Sequence, residues 1–141
     1  MVHALNEAQR VLKPDGILVD LRPAAVHRCV GITRKSHYQQ LATMREKLDD
    51  DRAASRAVTH VLREGLFKAE WRTQFDCARV MDTHDEFQAW IEEFVKLGGL
   101  SSHDWLVQRV ERVLSSKRGK SKIVVRGPLV LRVLRKLNTT G

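Results

Sequence analysis

The densest set of like side chains in this sequence is Arg112, Lys117, Arg118, Lys120 and Lys122. Four of the five fall in the glycine-containing run KRGKSK (residues 117–122), and cations so placed can neutralise phosphate oxygens without reading bases. They belong to a wider imbalance. Residues 112–141 hold nine Lys or Arg and no Asp or Glu, whereas residues 1–111 hold sixteen basic and seventeen acidic side chains, so the entire net charge of +8 is C-terminal. A solvated loop whose counter-charges sit on an acidic partner explains the same pattern more economically, because no aromatic interleaving or nucleic-acid motif accompanies it.

Other chemistries have simpler explanations. Asp49-Asp50-Asp51 places three carboxylates in a row, but acids ahead of an apolar-periodic stretch serve a helix N-terminus and its dipole. The six histidines (His3, His27, His37, His60, His84, His103) include no i, i+4 pair that would aim two imidazoles at one metal ion. Cys29 and Cys77 lack CxxC spacing and a neighbouring base, which makes them reduced core thiols. Phe67, Trp71, Phe75, Phe87, Trp90, Phe94 and Trp105 fall at core spacing and are assigned to the interior rather than to a stacking surface. No catalytic, cofactor-binding or metal-binding residue is expected.

The elements that must carry these groups follow from periodicity. Ala4, Leu5, Ala8, Val11 and Leu12 have helical spacing, and Lys13-Pro14-Asp15-Gly16 ends that helix close to Met1 with no obvious cap before it. Ile17–Leu21 reads as a strand buried on both faces inside a sheet, and 27–33 as a weaker strand. Residues 34–50 are polar and suggest a mobile insertion or a short helical turn. A helix over 50–64 is marked by Ala57, Val58 and Val61, with Gly65 at its stop. From Phe67 to Cys77 apolar and polar residues alternate strictly, the signature of a long strand with one face in the core. Thr83-His84-Asp85-Glu86 has capping-box form, Ser101-Ser102-His103-Asp104 marks a second helix start, and Gly98-Gly99 separates the two helices. Residues 123–134 form a last strand, with a break at Gly127-Pro128, since proline donates nothing to a ladder.

The segment ALNEAQRVLKPDGILVDLRP (residues 4–23) resembles the part of class I S-adenosylmethionine (SAM) methyltransferases in which a helix with an xALxExxRVLKPGG pattern leads into the fifth strand, with Asp15 where that family usually has glycine. The resemblance implies that 67–80 is the sixth strand and 123–134 the antiparallel seventh. The strands that hold SAM in that family would precede Met1, and Gly98-Gly99 follows a helix, so no SAM contact carries over.

The expected fold is therefore α+β, a small mixed or antiparallel sheet of three or four strands packed by three or four helices, in one domain over 1–141. No apolar run approaches the length of a membrane span, and no export signal is present, so a cytoplasmic protein is expected. In the parent fold strand five pairs with a strand that this chain lacks. The bare edge of Ile17–Leu21 then calls for a homodimer or a separate polypeptide. The leading expectation is a non-catalytic interaction module needing no cofactor. The alternatives are the substrate side of a split methyltransferase, using SAM once the other half is supplied, and a basic nucleic-acid accessory protein.

Overall fold

The computed structural model describes residues 1–100, 103–116 and 119–138. Along it run α1 (Val2–Val11), β1 (Ile17–Pro23), β2 (Cys29–Arg34), β3 (His37–Thr43), α2 (Asp49–Arg63), β4 (Phe67–Met81), α3 (His84–Lys96), α4 (Asp104–Ser116) and β5 (Lys122–Lys136). The class is α+β as expected, but the sheet has five strands, ordered β1-β5-β2-β3 with β4 also paired to β5. Contacts within the chain group into two compact units. Unit 1 comprises Met1–Ala25, Asp49–Phe75 and Pro128–Gly141, and unit 2 comprises Val26–Leu48 and Asp76–Gly127.

In unit 1, α1 and α2 bury their apolar stripes on one sheet face. Leu5, Ala57, Val58, Val61, Phe67 and Leu134 form the core, with Leu12, Leu18 and Leu62 packed partly against it. The helix α1 stops where proline and glycine require: the Gly16 amide donates to the Lys13 carbonyl (2.9 Å), and Asp15 takes a left-handed conformation with φ 58°. The chain then enters β1, which pairs antiparallel with β5 from Ile17↔Arg135 to Pro23↔Leu129. β1 is not inside the sheet. Among the described residues it pairs only with β5, and its burial alternates instead of covering both faces. A short apolar run has the same appearance in a central strand and in an edge strand with one uncovered face, which is why the sequence misleads here.

In unit 2, Val30, Ile32, Leu41, Met44, Met81, Phe87, Ile91, Leu100, Leu106, Val110, Ile123 and Val125 make a larger core. Thr83 caps α3 as expected, the Glu86 amide donating to Thr83 Oγ1 (3.2 Å), while Glu86 Oε2 accepts from the Asp82 amide (2.8 Å), one residue before the N-cap amide that a capping box would use. At the second proposed start, Ser101 and Ser102 lie outside the described residues, and the His103 carbonyl accepts from the Leu106 and Val107 amides of α4. The 34–50 stretch, expected to be a mobile insertion or helical turn, supplies β3. Its pairing with β2 runs from Arg34↔His37 to Cys29↔Thr43, and Lys35-Ser36 make the turn. Tertiary hydrogen bonding from β2 overrides a polar sequence with weak strand propensity.

Two further expectations are corrected. β4 is a strand, but only its ends, Phe67 and Met81, are buried, and Trp71 and Phe75 stand exposed. Alternation reports which side chains share a face, not whether anything covers that face. Trp105 is also exposed, so these three aromatics are not core. Gly127-Pro128 does not interrupt β5, because Pro128 gives its carbonyl to the Ala24 amide at 2.9 Å and Gly127 leaves room for the Arg28 side chain.

Candidate functional surfaces

The β1–β5 pair of unit 1 has two unlike faces. Leu18, Asp20 and Arg22 lie on one, opposite Leu134, Arg132 and Val130. There Arg22 donates to Asp20 through Nε (2.7 Å) and Nη2 (3.0 Å), and Arg132 Nη1 reaches the same carboxylate at 3.4 Å. The Asp20 side chain is 9% exposed, so one carboxylate answers two half-buried guanidiniums, and Arg22 Nη1 is buried with no partner among the described residues. On the other face Ile17, Val19 and Leu21 are 48%, 59% and 54% exposed. Half-buried Val133, Leu131 and Leu129 stand opposite Val19, Leu21 and Pro23. Apolar side chains in directly opposed positions form a continuous patch.

Three ion pairs tie β4 and its end to β5. Glu70 meets Arg135 (Oε2 to Nη2, 3.0 Å), Asp76 meets Arg126 at 3.2 Å, and Asp82 meets Lys122 at 3.1 Å. As numbers rise along β4 they fall along β5, which is an antiparallel pairing. The Arg135 guanidinium, hydrogen-bonded to Glu70, holds that carboxyl below the usual carboxylate range.

Unit 2 holds an arginine enclosed by aromatic rings. The Arg28 guanidinium lies 4.7 Å from the Phe94 ring centre and 5.5 Å from that of Trp90, and it binds Glu46 at 2.7 Å. The Arg28 amide donates to the other Glu46 oxygen at 2.6 Å, so this acid is fully engaged. Such an arrangement orders side chains and leaves no reactive group free. An open cleft of about 440 Å³ between β4 and α3 is lined by Arg79, Val80, Met81, Glu86, Ala89 and Trp90, and pairs no nucleophile with a base.

Three of the five sequence-selected cations are among the described residues. Lys117 and Arg118 lie outside the described residues, and Arg112 is exposed on α4. Lys120 is exposed, and Lys122 is exposed and paired with Asp82. What the sequence did not select is the β2–β3 turn. A side-chain carbon at Gly119 would stand 2.7 Å from Arg34 Nη2, so the Arg34 guanidinium lies against the segment leading into β5, and Lys122 opposes Thr33 in the ladder. Lys35 follows Arg34 in the turn that joins β2 to β3. Its signal was charge alone, in a stretch without strand or turn chemistry.

Cys29 is half-buried, while Cys77 is exposed on β4 rather than a core thiol. Among the described residues no group of three or more His, Cys, Asp or Glu is placed to hold a metal ion, and no helix is long and apolar enough to cross a membrane. Comparison with known proteins finds no matching family model, no curated protein and no solved structure.

Proposed function

We propose that the chain is a non-catalytic, methyltransferase-like interaction module of the cytoplasm that works as a homodimer, its two copies meeting along the free edge of β1. The observation that carries this reading is the half-exposed row Ile17, Val19, Leu21 on a strand paired only with β5 among the described residues. The row is self-complementary. When two β1 strands pair antiparallel about Val19, Ile17 of each copy opposes Leu21 of the other and Val19 opposes Val19, so each exposed side chain gains an apolar neighbour. The row also carries no charge, in a chain whose net charge of +8 makes two copies repel elsewhere. The three new cross-strand apolar pairs contribute roughly 1–3 kcal/mol beyond the ladder hydrogen bonds and before the cost of association, which makes the dimer concentration-dependent.

Two features support the methyltransferase resemblance. Asp15 is left-handed at the position where that family usually has glycine, a conformation that glycine takes freely and Asp tolerates better than most residues. β5 lies antiparallel to β4, as the sixth and seventh strands of that family should. The same edge would accept a separate SAM-binding polypeptide, and this is the second reading.

Light scattering on a sizing column tests both. The wild type is expected at twice 16.2 kDa at high concentration. Val19→Lys, which opposes two lysines at the two-fold axis, is expected to elute as the monomer with an unchanged circular dichroism spectrum. A wild type that stays monomeric at every concentration ends the dimer reading. Calorimetric titration with SAM is expected to show no uptake, and tight binding by the chain alone would overturn the non-catalytic assignment. A monomer that gains SAM binding when a SAM-binding half is added decides for the second reading.

A further inference from the structure

We propose that the β2–β3 turn and residues 119–122 of unit 2 form a separate site for the phosphate backbone of a nucleic acid. This does not rest on the β1 edge. The fold brings together two basic segments that stand about 85 residues apart in the chain: Arg34 and Lys35 from the hairpin, and Lys120 from the lead into β5. Contact between Arg34 and Gly119 makes them one surface, and Gly119 itself, with φ 97°, has the backbone conformation that spares a side chain there.

Charge balance points to a missing anion. Among the described residues Lys122 has Asp82, but Arg34, Lys35 and Lys120 have no acidic partner. The acids of α3 (Asp85, Glu86, Glu92, Glu93) belong to the same unit and none forms an ion pair with these cations. Like charges held together without a counter-ion repel, and an anionic ligand removes that repulsion. The turn is strained as well. Lys35 and Ser36 both have positive φ, 46° and 66°, where hairpins of this kind favour Asn-Gly. A strained lysine at an exposed tip is an outlier that points toward function.

The form of the site selects the ligand. Separate cations along a turn and the lead into a strand match a linear repeat of single negative charges better than a compact anion. Cations that meet the phosphate backbone fix position without reading base sequence, so binding without sequence preference is expected. Lys35, Ser36 and His37 offer no apolar side chain to insert between lipid headgroups, which argues against a membrane surface.

Fluorescence anisotropy with a labelled single-stranded RNA of about 20 nucleotides and a DNA duplex of similar length tests the site. With three to four phosphate contacts, affinity for the duplex should fall roughly 50- to 150-fold between about 50 and 200 mM salt. Arg34→Gln/Lys35→Gln/Lys120→Gln should weaken binding at least tenfold, and should flatten the logarithmic salt slope by about 2 to 3. Arg52→Gln/Arg56→Gln/Lys68→Gln removes the same charge from unit 1 and should leave the slope nearly intact. Should the first triple variant melt at a lower temperature, Lys35→Gln/Lys120→Gln, both exposed, should show about two thirds of the slope change. Equal losses in the two triple variants would reduce the effect to net charge and overturn the site, as would unaltered binding by the first. Tighter retention on phosphatidylserine vesicles than on either nucleic acid would reassign the surface to membranes.

Discussion

The two units cover their sheets to different degrees. Among the described residues the core cluster of unit 2 gathers twelve buried side chains, whereas that of unit 1 gathers six, and unit 1 leaves Ile17, Val19 and Leu21 half in water. A small core with a bare apolar row is a unit whose stability depends on what else it touches, because burial grows with the surface removed from water. A well-filled core frees its outer surface for charge. Under the two proposals above, this difference means that missing burial and unpaired charge mark different kinds of contact, one protein and apolar, the other anionic.

The largest expected effect sharpens that contrast directly. Phe87→Ala empties a fully buried position of unit 2 and should cost about 3–5 kcal/mol at every protein concentration, read from urea unfolding. Leu134→Ala in unit 1 should cost about 2–4 kcal/mol, and raising the protein concentration should recover part of the loss, since dimerisation stabilises whatever it binds. Identical concentration dependence for the two variants would erase the distinction between a self-sufficient unit and a dependent one.

A smaller effect compares their ion pairs. Asp20 serves both Arg22 and Arg132, so Asp20→Asn strands two half-buried cations and should cost about 2–3 kcal/mol. Glu46→Gln leaves Arg28 between the rings of Trp90 and Phe94 and keeps an acceptor for its amide, which limits the loss to about 1–2 kcal/mol. Reversal of that order, measured by thermal melting, would mean that the rings do not hold the arginine and that unit 2 is the more fragile in its polar contacts.

Local signals were legible where the physics is local. The Pro-Asp-Gly turn, the Thr83 cap and the alternation from Phe67 to Cys77 each depend on neighbours in sequence, and each corresponds to the element expected. Burial was not legible. Trp71 and Phe75 share a periodicity with Phe67, yet only Phe67 has Leu134 and the unit 1 helices against it. β3 escaped notice because its strand state is imposed by β2 and its turn uses Lys35-Ser36, which carry no hairpin signature. For the same reason half of the basic surface was invisible: charge shows in a sequence, but the packing of Arg34 against Gly119, which brings the hairpin beside the lead into β5, does not.

The smallest effect has the opposite sign. Tyr38 lays its ring over Gly31, where any side chain would collide with it, and Arg126 stands 5.2 Å from the ring centre. Its hydroxyl is buried and meets no hydrogen-bond partner among the described residues. Burial raises the phenol above its ordinary pKa, Cys29 adds to the rise, and Arg126 opposes it. A buried hydroxyl without a partner costs more than it contributes, so Tyr38→Phe keeps the ring contacts and should stabilise the protein by about 0.5–1 kcal/mol, seen as a higher melting temperature. A lower one would show that the hydroxyl is engaged. The sheet face of unit 2 carrying Tyr38 would then be a polar working surface, and bare burial would no longer distinguish the two units.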